Sequence, residues 1–120
     1  MIRILLVDDQ VTVRQGWRMR LALEPDIEVV GEAANGAEAL QQAQSLEPDV
    51  ILLDLEMPVM DGLLATAHLA SELPDCTVII VSMYDSKENR RRALMAGATA
   101  FFGKQQSMET MLTKIRESVG

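Results

Sequence analysis

Short apolar runs alternate with amphipathic stretches along the chain. The runs have the length of strands, and the stretches between them carry apolar residues at the three- and four-residue spacing of helices. The pattern predicts strands at 2–7, 27–31, 50–54, 77–82 and 99–102. It predicts helices at about 11–24, 36–46, 62–72, 86–96 and 107–118. We therefore expect five consecutive strand–helix units.

The first, third and fourth strands are apolar almost throughout. Such runs indicate strands that are buried on both faces, as in a parallel sheet covered by helices on each side. With right-handed crossovers, the five units predict an α/β fold, a three-layer α/β/α sandwich around one five-stranded parallel sheet. Two strand orders remain open, the flavodoxin-like order 2-1-3-4-5 and half of a Rossmann fold, and five strands suit the first better.

Four residues refine this outline. Asp61 and Ser107 are predicted N-caps of the third and fifth helices, and Gly97 is predicted to end the fourth. Trp17 lies on the apolar stripe of the first helix, so we expect it in the core and not as a platform for a ligand.

Composition places the chain among ordinary globular domains. Its 120 residues, 48% hydrophobic and 24% charged, predict one domain over 1–120. There is no apolar run of transmembrane length and no signal-peptide pattern, so no membrane association is expected. A lone cysteine, Cys76, cannot form an internal disulfide, which fits a reducing, cytoplasmic location.

The net charge of -7 argues against nucleic-acid binding by this segment, because phosphate contacts require clustered basic residues. The one basic run is Arg90-Arg91-Arg92. It has two open interpretations, a solvated helix face and a docking site for an acidic partner.

Polar residues follow four of the five predicted strands. Asp8 and Asp9 follow the first, Asp54 and Ser82 end the third and fourth, and Lys104 follows the fifth. In either strand order, the ligand site lies at the carboxyl ends of the first and third strands. Three carboxylates crowded there repel one another unless a cation binds. Hard oxygen ligands without a nearby histidine or cysteine favour Mg²⁺ or Mn²⁺.

A metal with open positions, beside a lysine and a hydroxyl, suits a phosphoryl group. Asp54 can attack phosphorus without a general base, because its carboxylate is ionised at neutral pH. Lys104 and Ser82 are placed to neutralise or bind the other phosphoryl oxygens. Taken alone, Asp54 could be a helix cap and Lys104 a surface lysine, so the prediction depends on their combination.

The motifs LLVDDQ, DLEMPVMDG and AGATAFFGK resemble those of response-regulator receiver domains of two-component signalling. The resemblance spans essentially the whole chain. It is greatest to receivers attached to LuxR-type helix-turn-helix transcription factors, the NarL subfamily. It implies the flavodoxin-like order, and phosphoryl transfer from a phosphohistidine of a sensor histidine kinase to Asp54.

The resemblance also assigns the metal ligands. Asp9 and Asp54 would bind Mg²⁺ directly, together with the backbone carbonyl of Glu56, and Asp8 would act largely through water. Ser82 and Lys104 would hold the phosphoryl oxygens.

Phe101 occupies the position of the switch aromatic, which turns inward as the serine hydroxyl moves toward the phosphate. Most relatives have tyrosine there, so an output contact that needs a phenolic hydroxyl is not expected. Gln105 follows the lysine where many members have proline, and no cis peptide is expected at that bond.

Three residues are candidates for tuning the rate of dephosphorylation. Met83 stands where a small residue is usual. It is expected to restrict access of water and small phosphodonors, which predicts slow autodephosphorylation. Glu56 and Tyr84 flank the attack path and are expected to tune the same rate, in a direction that the sequence does not decide.

The resemblance implies a DNA-binding domain of the LuxR type beyond this chain, and hence transcription regulation, with contact to DNA only through that domain. Homodimerisation on phosphorylation is a further possibility. A stand-alone single-domain regulator is the main alternative. A receiver degenerated into a protein-interaction module is a weaker one. An aspartyl-nucleophile phosphatase is unlike this sequence, since such enzymes usually carry a D-x-D motif on the first strand of a larger domain. We therefore expect no enzyme activity beyond the domain's own phosphorylation and dephosphorylation.

Overall fold

The computed structural model describes residues 1–57 and 60–119, and strands and helices alternate along them. The strands are β1 (Ile2–Val7), β2 (Ile27–Ala33), β3 (Val50–Asp54), β4 (Thr77–Ser82) and β5 (Ala100–Gly103). The helices are α1 (Val11–Leu21), α2 (Gly36–Leu46), α3 (Gly62–Glu72), α4 (Lys87–Ala96) and α5 (Met108–Val119). All ten predicted elements are present.

The sheet is parallel throughout, in the order β2-β1-β3-β4-β5. The predicted flavodoxin-like order is therefore confirmed, and the Rossmann alternative is wrong. No helix among the described residues has both the length and the apolar character needed to cross a membrane.

Two element ends differ from the prediction by more than one residue. Helix α1 ends at Leu21 and not at residue 24, because the next residues form tight turns in which the N–H of Glu24 bonds to the Leu21 carbonyl. Pro25 follows, and a residue that precedes proline avoids helical geometry. Strand β2 continues to Ala33, two residues beyond its predicted end, because Ala33 still pairs with Val7 of β1.

The core has two sides, one on each face of the sheet. Helices α1 and α5 cover one face, where Trp17 is buried as predicted, together with Phe102 and Ile115. Helices α2, α3 and α4 cover the other, and bury alanines such as Ala39 and Ala65 against the strands. Small side chains let these helices lie close to the sheet. Burial on both faces explains why the central strands are apolar throughout.

The predicted helix ends are present. Asp61 accepts a hydrogen bond from the N–H of Leu64 at 2.8 Å, and Ser107 accepts one from the N–H of Thr110 at 3.2 Å. Gly97 ends α4 with a φ of 113°, a left-handed conformation that glycine adopts without strain.

The pairing of the strands determines which residues lie side by side at the carboxyl edge of the sheet. Val7 pairs with Leu53, so the acids after β1 lie beside Asp54 at the end of β3. Ser82 pairs with Gly103, and Lys104 follows directly. The fold therefore brings the three acids, Ser82 and Lys104 to the carboxyl edge of one sheet.

Candidate functional site

Three carboxylates meet where β1 and β3 end. Asp8, Asp9 and Asp54 each place one oxygen within 4.8 Å of the others. Asp8 is fully buried and Asp54 is 3% exposed, whereas Asp9 is open to solvent. The structure thus brings together the three acids that the sequence placed at neighbouring strand ends, and it leaves one of them accessible from outside. We refer to these residues as the acid cluster.

Lys104 lies between the two buried carboxylates. Its Nζ is 3.2 Å from Asp8 Oδ2 and 3.4 Å from Asp54 Oδ1. The backbone fixes the lysine in place, because its N–H donates to the Ser82 carbonyl at 2.8 Å. Asp8 is also held locally, since its Oδ1 accepts from the N–H of Gln10 at 2.9 Å. The site therefore pairs two buried acids with one cation.

One lysine does not compensate for the crowded negative charge. Burial raises the pKa of Asp54 to about 7, and the charges of Asp8 and Glu56 add to the rise, while Lys104 opposes it. For Lys104, burial lowers the pKa, but the two aspartates outweigh burial, so the pKa is raised and the ammonium stays charged. Near neutral pH, Asp54 without a bound cation is therefore protonated for part of the time, which differs from the sequence-based expectation of an ionised carboxylate.

The donor set of the acid cluster suits a hard divalent cation. All three of its ligand groups are carboxylates, which Mg²⁺ and Mn²⁺ prefer. The exposed Asp9 leaves a side from which further ligands can reach the ion. A cation there would relieve the repulsion that raises the pKa of Asp54.

The side chains of Ser82 and Glu56 form a hydrogen bond. The buried Ser82 hydroxyl donates to Glu56 Oε1 at 2.8 Å and accepts from the N–H of Tyr84 at 2.9 Å. Glu56 also reaches the acid cluster, because its N–H donates to Asp54 Oδ1 over 3.4 Å. The sequence placed Glu56 beside the site but did not reveal this contact with Ser82.

Phe101, the predicted switch aromatic, is buried. The guanidinium of Arg90 lies 5.2 Å from the centroid of its ring, a cation–π arrangement. Arg90 also forms two hydrogen bonds to Asp85, at 2.6 and 2.8 Å. The first arginine of the basic run is therefore a structural contact, not simply a solvated charge. Sequence reasoning missed it because nothing in the run distinguishes Arg90 from its two neighbours.

A cleft of about 580 Å³ opens beside the acid cluster. Its walls include Asp9, Glu56, Asp61, Tyr84, Asn89 and Arg92. Met83 is not among the lining residues, and its side chain is 59% exposed. The restriction of access expected of Met83 stays a prediction, and Tyr84 is better placed to produce it.

Gly62, at the start of α3, packs closely against the backbone at the end of β3. A Cβ on Gly62 would lie 2.6 Å from the Asp54 carbonyl oxygen and 2.7 Å from Leu55 Cα. Glycine is therefore required for the close approach of α3 to the end of β3. In the motif DLEMPVMDG, Pro58 and Val59 lie outside the described residues. The bond between Lys104 and the next residue is trans, as expected.

The sequence profile of the family described as response regulator receiver domain matches residues 4–116. The chain is 41% identical over 119 residues to the uncharacterized transcriptional regulatory protein YhcZ of Bacillus subtilis, covering 99% of this chain and 55% of that protein. It is 40% identical over 116 residues to the transcriptional regulatory protein LiaR of the same organism, covering 97% of this chain and 55% of the relative. The chain thus spans about half the length of these curated relatives.

Solved structures agree with the sequence comparison. The signal receiver domain of the putative response regulator NarL from Mycobacterium tuberculosis superposes with a TM-score of 0.93 and is 32% identical. The match covers 98% of this chain and 95% of that one. Resemblance to the NarL and LuxR-type subfamily, expected from the motifs, is confirmed. The chain belongs to the family of response regulator receiver domains of two-component signalling.

Proposed function

We propose that Asp54 is the phosphoryl acceptor of this receiver domain. The observation that carries the proposal is the position of Lys104, whose Nζ lies within 3.4 Å of both Asp8 and Asp54. An Asp54 oxygen bonds to phosphorus while the bond from phosphorus to the donor breaks, and the electron pair leaves with the donor. Lys104 neutralises one phosphoryl oxygen from the position that it already holds.

Mg²⁺, or Mn²⁺ in its place, is the cofactor that we propose. Asp9 and Asp54 would hold it directly, with the backbone carbonyl of Glu56, while Asp8 would act through water. When bound, the ion neutralises charge on the transferred group. The three converging carboxylates and the raised pKa of Asp54 support this assignment.

Ser82 is the proposed switch residue. Its hydroxyl leaves Glu56 and donates to a phosphoryl oxygen, which pulls the end of β4 toward Asp54. Phe101 is already buried beneath Arg90, so the movement that we expect is a repacking around Ser82 and α4. Added charge and acceptor oxygens are sufficient to drive a local shift of this kind.

The phosphodonor is proposed to be the phosphohistidine of a sensor histidine kinase, and the domain catalyses only its own phosphorylation and dephosphorylation. The output is proposed to be transcription regulation through a LuxR-type DNA-binding domain beyond these 120 residues, with dimerisation on phosphorylation. Regulatory relatives about twice the length of the chain support this proposal. A stand-alone regulator that acts through protein contacts is the alternative.

Incubation with acetyl phosphate and Mg²⁺, followed by intact-protein mass spectrometry, tests the acceptor assignment. We expect the mass of one phosphoryl group on the wild type and none on Asp54→Asn. Asp61→Asn is the matched control, because it removes a nearby carboxylate and leaves a residue that can still cap α3. Labelling of Asp54→Asn at the wild-type level would disprove the assignment.

A further inference from the structure

The three consecutive arginines of α4 have different surroundings. Arg90 bonds to Asp85 through two nitrogens, and Arg91 pairs with Glu88 at 2.7 Å. Arg92 has no ion-pair partner within 4 Å among the residues that the structure describes, and it lines the cleft beside the acid cluster. Two of the three charges are therefore used within the domain, and the third faces the opening.

The geometry of in-line phosphoryl transfer predicts that the leaving group enters this cleft. The attacking and leaving atoms lie on opposite sides of phosphorus, so the leaving group points away from Asp54. Lys104 and the buried Asp8 contact each other and are not among the residues that line the cleft, whereas the exposed Asp9 is. A leaving group therefore departs through the cleft, along the wall formed by α4.

An anionic leaving group needs a positive charge in the cleft, because most charged residues on its walls are acidic. Asp9, Glu56 and Asp61 are acidic, and they repel an anion that develops between the walls. Arg92, on α4, brings a positive charge to the same cleft. A guanidinium binds a carboxylate through two parallel hydrogen bonds.

We propose that Arg92 binds the leaving carboxylate of an acyl phosphate donor. The inference deepens the proposed function and rests on it. As the Asp54 oxygen bonds to phosphorus, the bond between phosphorus and the acyl oxygen breaks, and the electron pair departs on the carboxylate. No proton is required. Arg92 stabilises the negative charge that appears on the acyl oxygen, and Lys104 neutralises an oxygen of the transferred phosphoryl group.

Rates of phosphorylation with two donors test the inference. Acetyl phosphate releases an anionic carboxylate, whereas phosphoramidate releases neutral ammonia. For Arg92→Gln, we expect acetyl phosphate to react about three- to fivefold more slowly, the size expected for one exposed charge contact. The phosphoramidate rate is expected to change much less. Arg91→Gln, which removes the same charge one residue away, is expected to keep both rates, and Arg92→Lys to recover part of the loss.

Beryllofluoride binding supplies a second measurement, because this phosphoryl mimic has no leaving group. We expect Arg92→Gln to bind it as the wild type does. Equal losses with both donors, equal losses in Arg91→Gln, or weaker beryllofluoride binding would each overturn the inference. Labelling of the wild type with no effect of Arg92→Gln would refute this inference alone. Failure of the wild type to label with either donor would refute the proposed function.

Discussion

The Ser82 hydroxyl donates a hydrogen bond to Glu56 Oε1 over 2.8 Å, between the end of β4 and the loop after β3. Ser82 is fully buried, whereas Glu56 is exposed. A hydroxyl has one proton to donate, so Ser82 cannot bond to Glu56 and to a phosphoryl oxygen at the same time. Glu56 therefore competes with the phosphoryl group for the switch residue.

Removal of this competitor is expected to favour the activated state. Glu56→Ala leaves the Ser82 hydroxyl without its acceptor, so we expect beryllofluoride with Mg²⁺ to bind on the order of three- to tenfold more tightly, the size of one net hydrogen bond. Titration calorimetry measures the affinity. Glu56→Gln is the control, because it removes the charge but keeps an acceptor oxygen. An equal gain in affinity in both variants would mean that the charge of Glu56, and not its hydrogen bond to Ser82, weakens binding in the wild type.

The raised pKa of Asp54 predicts how stability depends on pH. The folded protein holds this proton more tightly than the unfolded chain does, since the pKa rises from 3.8 to about 7. The resulting stabilisation is complete below pH 3.8 and is lost as pH rises through 7. We therefore expect Asp54→Asn to raise the melting temperature of the metal-free protein more at pH 8 than at pH 5. A difference that is the same at both values would contradict the prediction.

Addition of Mg²⁺ is expected to raise the melting temperature of the wild type at pH 8, because ligands that bind the folded state stabilise it. Asp54→Asn loses one of the proposed ligands, so its response is expected to be much smaller. Thermal denaturation over a series of Mg²⁺ concentrations measures both. An undiminished response in Asp54→Asn would place the ion elsewhere.

Gly62 is expected to be intolerant of a side chain. The Cβ of Gly62→Ala would contact the backbone of β3, which cannot move aside cheaply. We expect a loss of about 1–3 kcal/mol in the free energy of unfolding, as in other overpacked sites, and slower phosphorylation of Asp54. Urea denaturation checks the first effect. Gly16→Ala in α1 is the control, because its Cβ meets nothing within 4 Å, and the better helix propensity predicts a gain of up to ~1 kcal/mol.

Arg116 of α5 forms ion pairs that should make the stability of the protein fall in acid. It lies on the opposite side of the sheet from α3. It bonds to Glu24 at 2.6 Å and to Asp26 at 2.9 Å, and these bonds lower the pKa of both carboxyls. The stabilisation is fully present above the ordinary pKa values of 4.5 and 3.8, and it is lost progressively as pH falls from there through the lowered pKa values of the folded protein.

We therefore expect Arg116→Gln to lower the melting temperature at pH 7 and to lower it less at pH 3. Lys114→Gln removes a charge from the same helix and is expected to change neither value appreciably. A loss in Arg116→Gln that is the same at both pH values would indicate packing of the arginine stem as the cause.

The local pattern of the chain determined its ten elements. Most strands are short and apolar, and four of the five helices begin with a capping side chain, so neighbouring residues carry enough information to place them. The errors occurred where this information is weak. The end of α1 depends on a turn before Pro25, and the length of β2 depends on its pairing with Val7, which lies far away in sequence.

The acid cluster was also predictable, since parallel strands place their carboxyl ends at one edge and the sequence has acids at two of them. Contacts between separate segments were not. Glu56 and Ser82 are 26 residues apart, and only the register of β3 against β4 places one beside the other. Arg90, Arg91 and Arg92 are identical in sequence terms, and their different partners are decided by how α4 packs.

The sequence by itself thus determined which chemical groups stand at the strand ends, because hydrophobic periodicity and strand polarity are local properties. The tertiary structure alone decided which of those groups touch, which are desolvated and which face the cleft. Distances and burial arise from the packing of distant segments, and on them depend the pKa of Asp54, the bond between Glu56 and Ser82, and the exposure of Arg92.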